Sequence, residues 1–182
     1  MILPILTYPN PILKRQCTPV QNFNRELRTF IDNMFETMYA APGVGLAAPQ
    51  VGVSERILVI DVGRLEGEAI KRDPKVIINP EITRREGKIT WDEGCLSLPE
   101  LIVPVERDQQ IVVTGKNPDG KAMTLSGEDL LAVAFQHEID HLDGILLVDR
   151  LSRLKRDLYK KQLDKKIPFD ERPARGKTPY IG

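Results

Sequence analysis

Three things are scarce in this 182-residue chain: surplus charge of one sign, long apolar runs, and the cysteine and histidine that most often bind metals. Lysine plus arginine and aspartate plus glutamate each total 26, so the formal net charge is zero. No global field draws the chain to DNA or to anionic lipid, and a charged partner must meet a local patch. No apolar run approaches the roughly 18 residues that a membrane span needs. The opening stretch MILPILTYPNP has no basic segment and is interrupted by Pro4, Pro9 and Pro11, which argues against a signal peptide, and an Arg- and Ser-rich transit sequence is missing too. The expected compartment is a cytoplasm, bacterial in the first instance, although an organellar protein stripped of its transit peptide has the same appearance. The two cysteines, Cys17 and Cys95, are too few for a disulfide scaffold and in such a compartment are expected to be free or liganded.

What is present is an ordinary globular composition, 41% hydrophobic, in a length that suits one domain with a sizeable core. Asn24 is placed to cap a helix in which Leu27, Phe30, Ile31, Met34, Phe35 and Met38 form one stripe, stopping before Pro42-Gly43. Residues 56–62, 75–79 and 110–114 are short β-branched runs between breakers, hence strands. Asn117-Pro118-Asp119-Gly120 is turn chemistry that joins the last of these to residues 122–125 as a hairpin. Ser126 followed by Asp129 suggests the start of a buried helix running to Leu142 and ended by Gly144. A basic helix is expected over 150–166, with Leu151, Leu154 and Leu158 on its inner face and Pro168 beyond its end. The polar stretch 63–74 has the composition of a loop. The expected fold is α+β: mixed or antiparallel sheets packed around a central helix, with an N-terminal helix and a basic C-terminal helix. Residues 1–167 would form a single domain and 168–182 an extended tail.

Both histidines of the chain fall in that central helix, in His137-Glu138-Ile139-Asp140-His141. Positions four apart on a helix differ by only about 40° and sit one turn apart, so the two imidazoles can reach one ion. This is the HExxH pattern, in which the glutamate works as general acid and base beside the open coordination position. A catalytic site needs a third protein ligand. The metzincin spacing would put a histidine at 147, where this chain has leucine. Downstream carboxylates at Asp149, Asp157, Asp164 and Glu171 remain available, and so does the thiolate of Cys95 upstream.

Three motifs, Gly43-Val44-Gly45-Leu46-Ala47-Ala48-Pro49-Gln50, Glu93-Gly94-Cys95-Leu96-Ser97 and Gln136-His137-Glu138-Ile139-Asp140-His141, resemble in order and separation those of the peptide deformylase family. The resemblance extends roughly from Leu6 to Leu163. It implies that Cys95, His137 and His141 bind one divalent metal ion, Fe(II) by family habit, with Zn(II) or Ni(II) accepted. It implies hydrolysis of the formyl group from the N-terminal formylmethionine of a nascent polypeptide, with Glu138 as general base and the Gln50 amide and Leu96 backbone N–H as oxyanion donors. Gly43, Val44 and Gly45 would bind the peptide main chain as a strand. Val133, one turn before His137, would line an apolar pocket for the methionine, with Val44, Leu130 and Trp91 as weaker candidates. Arg107 lies where the family commonly has an arginine, which is expected either to hold loop structure, to meet substrate, or simply to be solvated.

Two other readings use the same residues. One is a small zinc endopeptidase with a downstream carboxylate as third ligand; the other is an architectural ion closed by Cys17 as a fourth ligand. The stretch 149–166 holds eight positive and three negative side chains, a local +5 in a neutral chain. For an enzyme of nascent chains, this suggests contact with ribosomal RNA through phosphates.

Overall fold

The computed structural model describes residues 1–165. Its first long helix, α1 (Arg25–Ala40), begins as expected, with the Asn24 side chain accepting from the Leu27 N–H at 3.0 Å. Its apolar stripe buries Leu27, Ile31, Met34 and Met38. The central sheet has five strands, β1 (Gly45–Ala47), β2 (Ile57–Ile60), β5 (Lys75–Glu86), β8 (Gln110–Lys116) and β9 (Ala122–Glu128), in the order β1-β2-β5-β8-β9. Every pairing in it is antiparallel. Because side chains alternate along a strand, β2 sends Leu58 and Ile60 to one face and Ile57 and Val59 to the other. The first pair packs against the helix α2 (Asp129–Leu142) through Val133, Phe135 and Leu142; the second packs against α1 through Ile31, Met34 and Met38. The sheet thus lies between two helices, and all four residues of β2 are buried.

A separate two-stranded sheet, β6 (Ile89–Cys95) with β7 (Leu98–Arg107), carries Cys95 at its tip. Its inner face, Leu101, Val103 and Val105, packs against Leu146, Leu147, Val148 and Tyr159. Gly144 closes α2 in the left-handed region, φ +73, and a Cβ there would sit 2.6 Å from the Lys14 carbonyl oxygen, so only glycine fits.

Several expectations are corrected. Residues 63–74 contain a hairpin, β3 (Arg64–Glu66) and β4 (Ala69–Lys71), whose strands are wholly exposed and therefore carry no alternation to betray them. Ser126 lies in β9, not at a helix cap; Glu128 occupies the cap without a side-chain bond, and the sheet itself delivers the chain to the helix. The last helix, α3 (Arg153–Asp164), starts later than expected, with Ser152 accepting from the Lys155 N–H. Its inner face is Tyr159 with Leu163, while Leu154 and Leu158 are exposed at 70% and 52%. The expected end of that helix near Pro168 and the tail 168–182 lie outside the described residues.

Candidate metal centre

Helix α2 presents His137, Glu138 and His141 toward the tip of β6, where Cys95 ends its strand. Cys95, His137 and His141 each offer a ligand atom, all within 4.8 Å of one another, and all three residues are buried. Cys95 Sγ stands 3.3 Å from His141 Nε2. Beside them, Glu138 is fully buried and neither of its carboxylate oxygens has a hydrogen-bond partner among the described residues. A buried carboxylate without partners is costly unless something else occupies the space it faces. A soft thiolate with two imidazoles is a donor set that fits several borderline divalent ions, so the residues suit a bound metal and its water.

Local structure explains why Glu138 has room. Gly45 of β1 lies against it, and a Cβ at that position would fall 2.4 Å from Glu138 Oε1. Burial pushes the Glu138 carboxyl well above its ordinary range, with repulsion from Glu93 adding to the shift and Arg107 opposing it. Burial likewise pushes the Cys95 thiol up, against the lowering effect of the Ser97 and Leu98 amides, and pushes His141 down, assisted by the positive charge of its neighbours. A cation between them favours the thiolate and the neutral imidazoles, the forms that bind metal.

The sequence reading did not single out Glu93, yet it orients the cluster. Its Oε2 is 2.8 Å from His137 Nδ1, and Arg107 grips the same carboxylate with Nε at 2.6 Å and a terminal nitrogen at 2.9 Å. Burial raises the Glu93 carboxyl, but hydrogen bonds from Arg107 and His137 outweigh it and hold the group below its ordinary value. An ionised Glu93 accepts a hydrogen bond from Nδ1–H, keeps the ring proton there and leaves the other ring nitrogen for a metal. Arg107 is 5% exposed and also donates to Asp140 at 2.7 Å, so it is not the solvated arginine considered above but one that ties β7 to β6 and α2. The usable signal was proximity: Glu93 precedes Cys95 by two residues in the same motif, although the register of β6 shifts between Gly94 and Cys95 and simple strand alternation does not place it.

Gln50 is fully buried; its Oε1 accepts from the Ala47 N–H at 2.8 Å while Nε2 donates to Ser97 Oγ at 3.2 Å and lies 3.8 Å from Cys95 Sγ. Gly43 lies against the Leu96 side chain, where a Cβ would stand 2.8 Å from Cδ1. The Val44 carbonyl accepts from the Asp61 N–H at 2.8 Å. Val133 is fully buried in the cluster between α2 and the sheet, and Val44, Leu130 and Trp91 pack against that same cluster. An open cleft of about 350 Å³ runs past Cys95 and Leu96 between residues 40–42, Pro99 and the N-terminal Ile5 and Thr7. The alternative ligands are elsewhere: Asp149 pairs with Lys14, Asp157 and Asp164 are exposed on α3, and Glu171 lies outside the described residues. Cys17 is buried away from the cluster, its N–H on the Leu142 carbonyl and its thiol pushed up to about 11 by burial.

The family model for polypeptide deformylase matches residues 2–157. A peptide deformylase of Acidobacterium capsulatum is 50% identical over 166 residues, covering 91% of this chain and 95% of that protein. Among solved structures, a peptide deformylase from Legionella pneumophila superposes with a TM-score of 0.81 at 43% identity, covering 92% of this chain and all of that one. The Ehrlichia chaffeensis peptide deformylase in complex with actinonin gives 0.84 at 39% identity, over 91% of this chain and 97% of that one.

Proposed function

Since the chain belongs to the polypeptide deformylase family, hydrolases that use a metal, we propose that Cys95, His137 and His141 hold the ion with which it removes the formyl group from N-terminal formylmethionine. The zinc endopeptidase reading is not favoured, because it requires a third ligand other than the cysteine that stands 3.3 Å from His141. The ion we assign is Fe(II), with Zn(II) or Ni(II) able to replace it. Bound there, it would polarise the formyl carbonyl and acidify water.

Glu138 is the proton carrier: it takes a proton from the attacking water and delivers it to the methionine nitrogen as the C–N bond breaks, so that formate and a free amine leave. Gln50 Nε2 and the Leu96 N–H are the donors for the oxyanion that develops on the formyl oxygen. The peptide lies antiparallel along Gly43, Val44 and Gly45 at the free edge of β1, and its methionine side chain enters toward Val133, Leu130, Val44 and Trp91. Residues 1–167 act as one catalytic domain, with 168–182 as a tail. The enzyme works in a bacterial cytoplasm on nascent chains, and α3 meets ribosomal RNA.

The observation that carries this reading is the buried, unpartnered Glu138 carboxylate beside three converging ligands. Its test is formate release from formyl-Met-Ala-Ser by anaerobically purified protein, beside Glu138→Ala of measured metal content. Rapid release by the wild type and a metal-loaded variant slower by at least about a hundredfold are expected. Release by the variant at the wild-type rate would remove Glu138 from its role.

A further inference from the structure

The N-terminal arm, residues 3–8, is fixed to both halves of the site. The Leu3 N–H donates to Thr37 Oγ1 at 2.8 Å, the Leu6 N–H to the Gln50 carbonyl at 2.7 Å, and the Tyr8 N–H to the Ser97 carbonyl at 2.8 Å. Between these anchors Ile5 and Thr7 face the cleft that runs past Cys95 and Leu96, opposite Ala41 and Pro42. Thr7 is exposed and Ile5 half-buried.

The direction of a bound peptide follows from β1. That strand is the edge of its sheet, paired only with β2 among the described residues. Its downstream end is closed, since Ala47, Ala48 and Gln50 are fully buried. With the formyl end beside Glu138 and Gly45, a peptide antiparallel to β1 leaves past Val44 and Gly43. At about 3.4 Å per residue its third residue passes Gly43, and its fourth heads for the turn at Ala41–Pro42, which is a wall of the cleft.

We propose that the N-terminal arm is a specificity wall: Ile5 and Thr7 contact the side chains of the third and fourth residues of the formylated peptide, in a subsite that favours apolar groups. The inference rests on the deformylase reading and extends it along the substrate. Ile5, Leu96, Ala41 and Pro42 give the cleft apolar walls, and no charged side chain is among its lining residues, which accounts for the preference.

The test compares kcat/KM for formyl-Met-Ala-X-Ser and formyl-Met-Ala-Ser-X peptides, with X as Leu, Ser, Glu or Lys, in metal-loaded wild type, Ile5→Ala and Thr7→Arg. The readout is a ratio between peptides within one protein, so a general loss of activity or stability cancels. Ile5→Ala is expected to lower the Leu-over-Ser ratio by about threefold, through KM. Thr7→Arg, at an exposed position, is expected to raise the Glu-over-Lys ratio by up to about fivefold. Ratios that stay at wild-type values in both variants, at both positions, overturn the proposal while leaving the activity in place. A wild type that hydrolyses none of these peptides overturns the deformylase reading and this inference with it.

Discussion

Glu93 shows how much the candidate metal cluster depends on a residue outside its three ligands. Its carboxylate is shared between Arg107 and His137, and all three side chains are nearly or fully buried. Glu93→Gln keeps the shape but removes the charge that fixes the His137 proton on Nδ1 and compensates the Arg107 guanidinium. Losing such an outer partner typically weakens metal binding by about 10- to 100-fold. Competition with a graded chelator should therefore show that loss in the variant, whereas retention of metal at wild-type chelator concentrations would reduce Glu93 to a structural role. Arg107→Lys is a useful companion, since a lysine cannot reproduce the two-pronged grip on one carboxylate.

At the scale of elements, Asp61 joins three of them. Its backbone N–H holds the Val44 carbonyl, Oδ2 accepts from the Tyr39 hydroxyl at 2.6 Å, and Oδ1 accepts from the Gly63 and Asp73 N–H groups at 2.9 Å each. The end of α1, the start of β1 and the base of the β3–β4 hairpin all meet there. Burial raises its carboxyl, but those hydrogen bonds prevail and hold it below the ordinary value. A depressed folded-state pKa means that the contribution to stability is complete above the unfolded value of about 3.9 and disappears as pH falls through the folded one. Asp61→Asn should lower stability by about 2 kcal/mol at pH 7. The gap from wild type in urea midpoint should narrow on acidification below about pH 4; a gap that is constant with pH would mean the charge is not what matters.

Two helices were legible in the sequence for different reasons: α1 through the Asn24 cap and its one-sided stripe, and α2, whose cap was misread, through an apolar run buried on nearly every side. β7 was not, although Leu101, Val103, Val105 and Arg107 alternate inward. Pro99 and Pro104 disguised it, and prolines are tolerated there because a two-stranded sheet consists only of edges. The same difference holds at the site. His137, Glu138 and His141 announce themselves by helical spacing, whereas Cys95 was one third-ligand candidate among several until the motif resemblance selected it, and the contacts of Arg107 emerged only once folding brought it to Glu93 and Asp140. The inner face of α3 was misjudged because Leu154 and Leu158 look like core and are not.

At the scale of the whole molecule, charge is balanced but not evenly spread. The chain sums to zero while residues 149–166 carry +5, from eight basic and three acidic side chains. On α3 the basic residues Arg153, Lys155, Lys160 and Lys161 are exposed together with Leu154 and Leu158, and the anchoring to the body falls to Tyr159, whose hydroxyl donates to the Pro99 carbonyl at 2.9 Å. A positive face of this kind binds phosphates by releasing counterions, so affinity falls linearly in log–log terms with salt, with a slope of about −0.7 to −0.9 per phosphate neutralised. Co-sedimentation with ribosomes over a salt series should therefore show strong binding at low salt that declines with a slope set by about three to five contacts. Changing Lys155, Lys160 and Lys161 to glutamate should abolish it, because attraction becomes repulsion without disturbing the buried Tyr159 and Leu163 contacts. Binding that is absent at low salt, insensitive to salt, or unaffected by the three reversals would show that the basic face is only a solvated surface.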